Sequence, residues 1–316
     1  MAYEITIADH AGSLEATFVP ELGMIGSSLR HEGEELFYQG QGLAAYAEAK
    51  RTFALPLLHP FANRLSAWSF DLNGRTVALN AERGAAQRDG LTGTAIHGLV
   101  AASSYWTVVD ADRHMICAEL DFGAVPEYMA EFPFPHRVRY RASLADNTLT
   151  VAVTLVAADG VAVPVSFGFH PYLTLPGSDR REWQLELPVA CQALVDERMI
   201  PTGQTREIAP GELDGPFSER SFDDTYSRLW GGGDGPASDD GRPAPAFALS
   251  DKRRRVTLTH LSGYPVAQVY AAQGSDFICY EPMTAPVDAL ITGERLRWVK
   301  PGESFEAVFS ISVERL

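Results

Sequence analysis

Apolar and polar residues alternate along most of this chain. From His136 to Leu144, Val138, Tyr140, Ala142 and Leu144 fall on one parity and Arg137, Arg139 and Arg141 on the other. Ala145-Asp146-Asn147 then supplies turn chemistry, and Leu149, Val151, Val153 and Leu155 resume the alternation. A period of two on either side of a turn predicts an antiparallel hairpin with one dry and one wet face. The pattern returns in Phe305, Ala307, Phe309, Ile311 and Val313 after the Pro301-Gly302 turn, and near the start in Tyr3, Ile5 and Ile7.

Turn signals recur, with 27 Gly and 20 Pro in 316 residues, which leaves little room for long helices. Short helical turns are expected around Gly40 to Ala49 and near Ser218 to Ser221. The rest reads as many short antiparallel strands, whose alternating faces are best buried by stacking one sheet on another. The expected class is all-β, a large antiparallel β-sandwich. Residues 231–245, opening Gly231-Gly232-Gly233-Asp234-Gly235-Pro236, hold almost nothing a core could use and read as a flexible surface loop. The strands after it are too few for a second domain of similar size, so 1–316 is expected to be one domain. No internal repeat is evident.

Composition narrows the partners. Hydrophobic residues make up 46% and charged residues 21%, as in a globular protein with a large core. No apolar run approaches the ~20 residues of a membrane helix. Met1 to His10 lacks a signal-peptide pattern, so no membrane partner and a cytoplasmic location are expected. A net charge of −15 disfavours nucleic acid. The basic run Lys252-Arg253-Arg254-Arg255 reads as a charged turn leading into the strand from Val256. Cys117, Cys191 and Cys279 are scattered and suggest neither disulfides nor a zinc site. Cys279 shares a parity with Glu281, but no basic neighbour would lower its pKa for nucleophilic work.

Five segments set polar residues among apolar, Gly or Pro neighbours. They are His59-Pro60-Phe61-Ala62-Asn63-Arg64, Ala95-Ile96-His97-Gly98, Phe167-Gly168-Phe169-His170-Pro171-Tyr172, Phe222-Asp223-Asp224-Thr225-Tyr226 and Tyr280-Glu281-Pro282-Met283-Thr284-Ala285-Pro286. Taken singly, such a histidine is usually structural and a Glu before Pro usually a turn residue. Two stand out chemically. His170 lies among aromatic residues that would desolvate it, and Glu281 follows the apolar run Phe277-Ile278-Cys279. Burial lowers a histidine pKa and a nearby carboxylate raises it, so a histidine poised between the two can titrate near neutrality; burial raises a carboxylate toward the range of a general base.

In this order and spacing the segments resemble the aldose 1-epimerase family, over nearly the whole chain from Pro20-Glu21-Leu22-Gly23-Met24 to Pro301-Gly302-Glu303-Ser304. The resemblance implies a galactose mutarotase-like supersandwich and a single sugar site. It implies Glu281 as base and His170 as acid, with Arg64, His97, Asp223, Asn63 and Tyr172 binding substrate and no metal or cofactor. The substrate would be a hexose such as glucose or galactose, handled by a monomer or homodimer. Asp223 is preferred over Asp224 because Asp223 and Tyr226 match the family's Asp-x-x-aromatic spacing. Two departures mark a divergent branch: Leu99 stands where members carry a second Gly after His-Gly, and Phe169 where many carry Asn. The rival readings are a hexose-6-phosphate 1-epimerase, for which Arg51 and Arg88 are candidate phosphate ligands, and a non-catalytic carbohydrate-binding protein. Metal-dependent hydrolysis lacks a His-x-x-x-His or similar spacing.

Overall fold

The computed structural model describes residues 3–231 and 243–316. Among these, most strands join two antiparallel sheets. The first runs Thr107–Ala111, Met115–Asp121, His136–Ala145, Thr148–Ala157, Ser304–Arg315, Arg254–Ser262, Ala246–Ser250, Gln184–Glu186 and Gly215–Pro216. The second runs Pro201–Glu207, Val189–Val195, Phe222–Leu229, Val266–Ala271, Ile278–Met283, Gly168–Phe169 and Leu57–Leu58, with Tyr172–Leu173 also pairing to Ile278–Met283. A smaller sheet holds the N-terminal strands Ile5–Ala8, Leu14–Val19, Ile25–His31 and Glu34–Glu35.

The central hairpin follows its sequence. Leu144 faces Leu149 and Ala145 faces Thr148 across the turn. Asp146 and Asn147 take positive φ angles of 48° and 55°, as a two-residue turn matched to strand twist requires. Val138, Tyr140, Ala142 and Leu144 are buried, while Arg137 and Arg139 lie on the wet face and pair with Asp121 and Glu119. The last strand buries Ala307, Phe309, Ile311 and Val313 in the same way.

The two large sheets stack through aromatic residues. Phe169 packs on Phe309 at 4.9 Å and on Tyr140 at 5.8 Å between ring centroids. Tyr280 crosses the gap to donate its hydroxyl to the Ala248 carbonyl at 2.9 Å. One continuous apolar cluster draws on residues from Ile7 to Val313. Lys252 and Arg253 form the expected charged turn, with the strand beginning at Arg254.

Helix Gly42–Ala49 matches expectation, whereas Pro126–Glu131 and Ala289–Thr292 were not foreseen. The helical turn expected near Ser218 to Ser221 is absent. Ser218 takes a φ of 44°, which a right-handed helix excludes, and Arg220 N–H closes a single turn onto the Phe217 carbonyl. Most of the 231–245 segment lies outside the described residues. No helix among the described residues is long and apolar enough to cross a membrane.

Candidate active site

Strand Ile278–Met283 is buried on both sides. Tyr280 faces the partner sheet, so Cys279 and Glu281 face the other way. Directly opposite residues of a ladder share a face. Gln268 lies opposite Glu281, Thr225 opposite Gln268, and Asp223 opposite Tyr270, which in turn faces Cys279. Glu281, Gln268, Thr225, Asp223 and Tyr270 therefore line one side of the second sheet. Asp224 belongs to the opposite face, where it accepts a hydrogen bond from Gln192 at 2.7 Å.

His170 reaches Glu281 from the Gly168–Tyr172 segment, which pairs with the same strand through Gly168 and Tyr172. Its Nε2 is 3.2 Å from Glu281 Oε1, and both side chains are almost wholly buried. Tyr172 stacks on the imidazole at 4.5 Å with planes only 10° apart, and its hydroxyl is paired with Thr52 Oγ1 at 2.8 Å. His97 meets the same imidazole edge-on at 5.4 Å. Glu281 Oε2, His170 Nδ1 and His97 Nδ1 are buried without a hydrogen-bond partner among the described residues.

Arg64 opens the short strand Arg64–Leu65, and His97 directly follows its antiparallel partner Ala95–Ile96, with Ile96 opposite Arg64. Asn63, at φ 58°, accepts the Arg64 N–H on its side-chain oxygen at 2.8 Å and the His97 N–H on its carbonyl at 3.0 Å. Asn63 thus aligns the two neighbouring residues through backbone contacts. Arg64 donates from Nε to Asp89 at 2.8 Å and places Nη2 3.6 Å from Asp223. His59, from the segment leading to Arg64, is not at the site: its Nε2 is 2.7 Å from His136 Nε2 in the core, and His136 Nδ1 donates to the Phe134 carbonyl.

The electrostatics favour uncharged forms at the centre. Burial, reinforced by the charge of Asp223 and opposed by Arg64, pushes the Glu281 carboxyl well above its ordinary range. Burial, with His97 and Arg64 adding to it, pushes His170 well below. His97 falls to about 3, from burial and the Arg64 charge. Burial alone would raise Asp89, but hydrogen bonds from Thr92, Arg64 and Leu91 outweigh it and hold that carboxyl at about 2. Both shifts favour a neutral carboxyl beside a neutral imidazole, with the Glu281 oxygen 3.2 Å from His170 Nε2. Cys279 is closed off beside Tyr172 and Phe277, and burial pushes its thiol well up, which leaves no nucleophile there.

All seven residues singled out in the sequence occur in this region, and Glu281, His170, His97, Arg64 and Asp223 converge. Asp89 and Gln268 went unnoticed. Gln268 donates to Asp223 at 2.6 Å and accepts from Thr225 at 2.5 Å, which fixes the orientation of its amide. A lone amide within the otherwise apolar strand Val266–Ala271 was the available signal. Asp89 sits in an Asp-Gly turn and carried none. Among the described residues no group of three or more His, Cys, Asp or Glu side chains is arranged to hold a metal ion.

Comparison with known proteins places this geometry. Residues 5–312 match the family model for aldose 1-epimerase. The chain is 23% identical over 330 residues to the uncharacterized protein YihR of Escherichia coli K12, covering 98% of this chain and 94% of that one. Its fold superposes with a TM-score of 0.82 on a galactose mutarotase-like protein from Clostridium acetobutylicum, at 17% identity and over 100% of this chain and 99% of the other. A galactose 1-epimerase from Lactobacillus acidophilus gives a TM-score of 0.72 at 16% identity, again over 100% and 99% of the two chains. The solved structures share the fold; the family model, matched over nearly the whole length, shows that this chain is an isomerase of the aldose 1-epimerase family.

Proposed function

We propose that the protein interconverts the α and β anomers of a free aldose, with Glu281 and His170 as the acid–base pair. The observation that carries the reading is the 3.2 Å approach of His170 Nε2 to Glu281 Oε1 in a buried setting, with Glu281 Oε2 left unpartnered. Passing the proton from the carboxyl to the imidazole makes a carboxylate and an imidazolium without net gain or loss of charge. The carboxylate takes the proton of the C1 hydroxyl, the C1–O1 bond becomes a carbonyl, the C1–O5 bond breaks, and O5 takes the imidazolium proton. Rotation about C1–C2 offers the other carbonyl face, and the same transfers in reverse close the ring. Positioned groups of this kind contribute roughly 10²–10⁴-fold in rate. Arg64, His97 and Asp223 stand where they would orient the sugar hydroxyls.

The charges around Arg64 support a free sugar over a phosphosugar. Arg64 already faces Asp89 and Asp223, and Arg88 lies 4.6 Å over the Trp68 ring instead of reaching the site. The guanidinium thus lies between two carboxyl groups and within electrostatic reach of a third, that of Glu281.

The test is polarimetry or NMR exchange on freshly dissolved α-glucose, α-galactose and glucose 6-phosphate. Glu281→Gln should lose at least ~10²-fold in rate while still binding sugar. Near-normal rates in that variant would sink the assignment, and strong preference for glucose 6-phosphate would move it to the phosphosugar branch.

A further inference from the structure

Arg64 contacts the acidic side of the site through Asp89 and Asp223, and something must decide which edge of its guanidinium the site receives. A guanidinium is a planar fork whose Nε and Nη edges present different donors. Here the Nε edge is occupied by Asp89 at 2.8 Å, and Nη2 is the atom turned to Asp223. We propose that Asp89 is a positioning residue for the sugar site, clamping Arg64 by Nε so that its outer nitrogens serve Asp223 and the substrate. The inference rests on the reading of this site as one for sugar anomers, and it concerns a side chain that contacts Arg64 and not the reacting atoms.

Asp89 is itself held as a fixed point. Its carboxylate accepts from Thr92 Oγ1 at 2.6 Å and from the Leu91 N–H at 3.1 Å. Its backbone N–H donates to the Thr94 carbonyl at 2.8 Å, and its carbonyl accepts from the Gly93 N–H at 2.9 Å. The small hairpin is braced at the Gly93 carbonyl, which accepts from Trp68 Nε1 outside it at 3.2 Å and from Arg88 Nη1 of its own first strand at 3.1 Å. A carboxylate with this many anchors, and only 12% of its side chain exposed, is a better hold for a long flexible side chain than solvent would be.

The clamp has an electrostatic consequence. The Arg64 charge acts on Glu281, His170 and His97, in each case downward. At His97 the Asp89 charge opposes it. Removing that charge leaves Asp223 as the remaining carboxylate beside Arg64, so the Arg64 charge pulls harder on Glu281, which then gives up its proton at lower pH.

Asp89→Asn is the variant of choice: with its amide oxygen at the Oδ1 place it keeps the Leu91 N–H bond, and it puts an NH2 donor at the Oδ2 place that Thr92 and Arg64 Nε now share. We expect KM to rise about tenfold with kcat changed much less, as for loss of one charge-assisted hydrogen bond. The alkaline limb of kcat/KM should move to lower pH, and Asp89→Glu should restore part of both effects. On an Arg64→Met background the same change should do nothing further, because the two residues act as one unit. Protection of the Arg64 Nε–H against exchange, read by NMR, should be present in the wild type and lost in Asp89→Asn. An unchanged KM and pH profile, or additive effects on the Arg64→Met background, overturns the proposal. Absence of anomerisation in the wild type overturns instead the reading of the site, while the Nε–H signal still reports the clamp by itself.

Discussion

A β-carbon on Gly98 would lie 2.2 Å from the carbonyl oxygen of His59, at a backbone φ of +75°. The two segments cross as a parallel bridge, and the Leu99 N–H donates to that same carbonyl at 2.7 Å. The crossing fixes His97, one residue earlier, against His170. Gly98→Ala should therefore cost about 3 kcal/mol or more from strain plus clash, and should reduce turnover by displacing His97. Gly12→Ala is the control: φ is +72° but nothing lies within 4 Å, so about 1 kcal/mol is expected. Urea unfolding of both proteins checks this, and equal costs would remove the steric account.

Phe169 stands where many relatives are expected to carry Asn, and its surroundings give the reason it tolerates no such residue here. It is fully buried between Phe309 and Tyr140, on the side of its strand that faces the partner sheet. Phe169→Asn leaves a cavity and an unpaired amide, and should cost about 4 kcal/mol or more. Phe169→Leu should cost much less, and anomerisation by that variant should stay within a few-fold of wild type. A large loss of activity in a stable Phe169→Leu protein would mean that the ring does more than fill the core.

The sequence made one part of this fold plain and concealed another, for a physical reason. In the hairpin from His136 to Ala157 one face is dry and the other wet, so residue parity reports directly on orientation. In Ile278–Met283 both faces are covered, one by the partner sheet and one by the site, so alternation vanishes and Glu281 reads as a carboxylate in an apolar run. Its nearness to His170 arises from ladder register, through Gly168 opposite Met283 and Tyr172 opposite Cys279. Such long-range pairing leaves no local trace. The family resemblance supplied the grouping of motifs and a preference for Asp223 over Asp224 from its spacing to Tyr226; the register adds that the two side chains lie on opposite faces, with Asp223 on that of Glu281. Helices of one or two turns, such as Ala289–Thr292, are too short to impose a 3.6-residue pattern.

Buried histidines should make the fold acid-sensitive from about pH 6.5 downward. His260 is 3% exposed, with Nδ1 on the Tyr264 carbonyl, and burial lowers its pKa to about 4. Its folded pKa is below the unfolded value of about 6.5, so the stability it contributes is complete above the unfolded pKa and drains away as pH falls toward 4. Near pH 5 the unfolded form binds about 0.9 more proton at this residue, a slope of roughly 1.2 kcal/mol per pH unit. His136, also held at about 4, should add a similar slope. Denaturant titrations between pH 7.5 and 4.5 on wild type and His260→Gln give the difference. A slope unchanged by the substitution would show that His260 is not buried neutral.

Asp223 and Asp224 are adjacent, both part-buried, and burial raises both carboxyls, yet opposite consequences are expected from removing their charges. Asp223 shares a face with Glu281, is joined to Arg64 and Gln268, and contributes to the upward push on the Glu281 carboxyl. Asp223→Asn should raise KM at least about tenfold and move the alkaline limb of the pH profile to lower pH, because a negative charge that opposes Glu281 ionisation is gone. Asp224 turns to the other face, where its bond to Gln192 ties two strands together. Asp224→Asn keeps an acceptor for Gln192, so KM and the pH profile should stay near wild type and stability should change by less than about 1 kcal/mol. Steady-state kinetics on the two variants over pH 5–9 decide the matter. Similar kinetic losses in both would mean that the strand's alternation does not separate the sugar site from the core as the register requires.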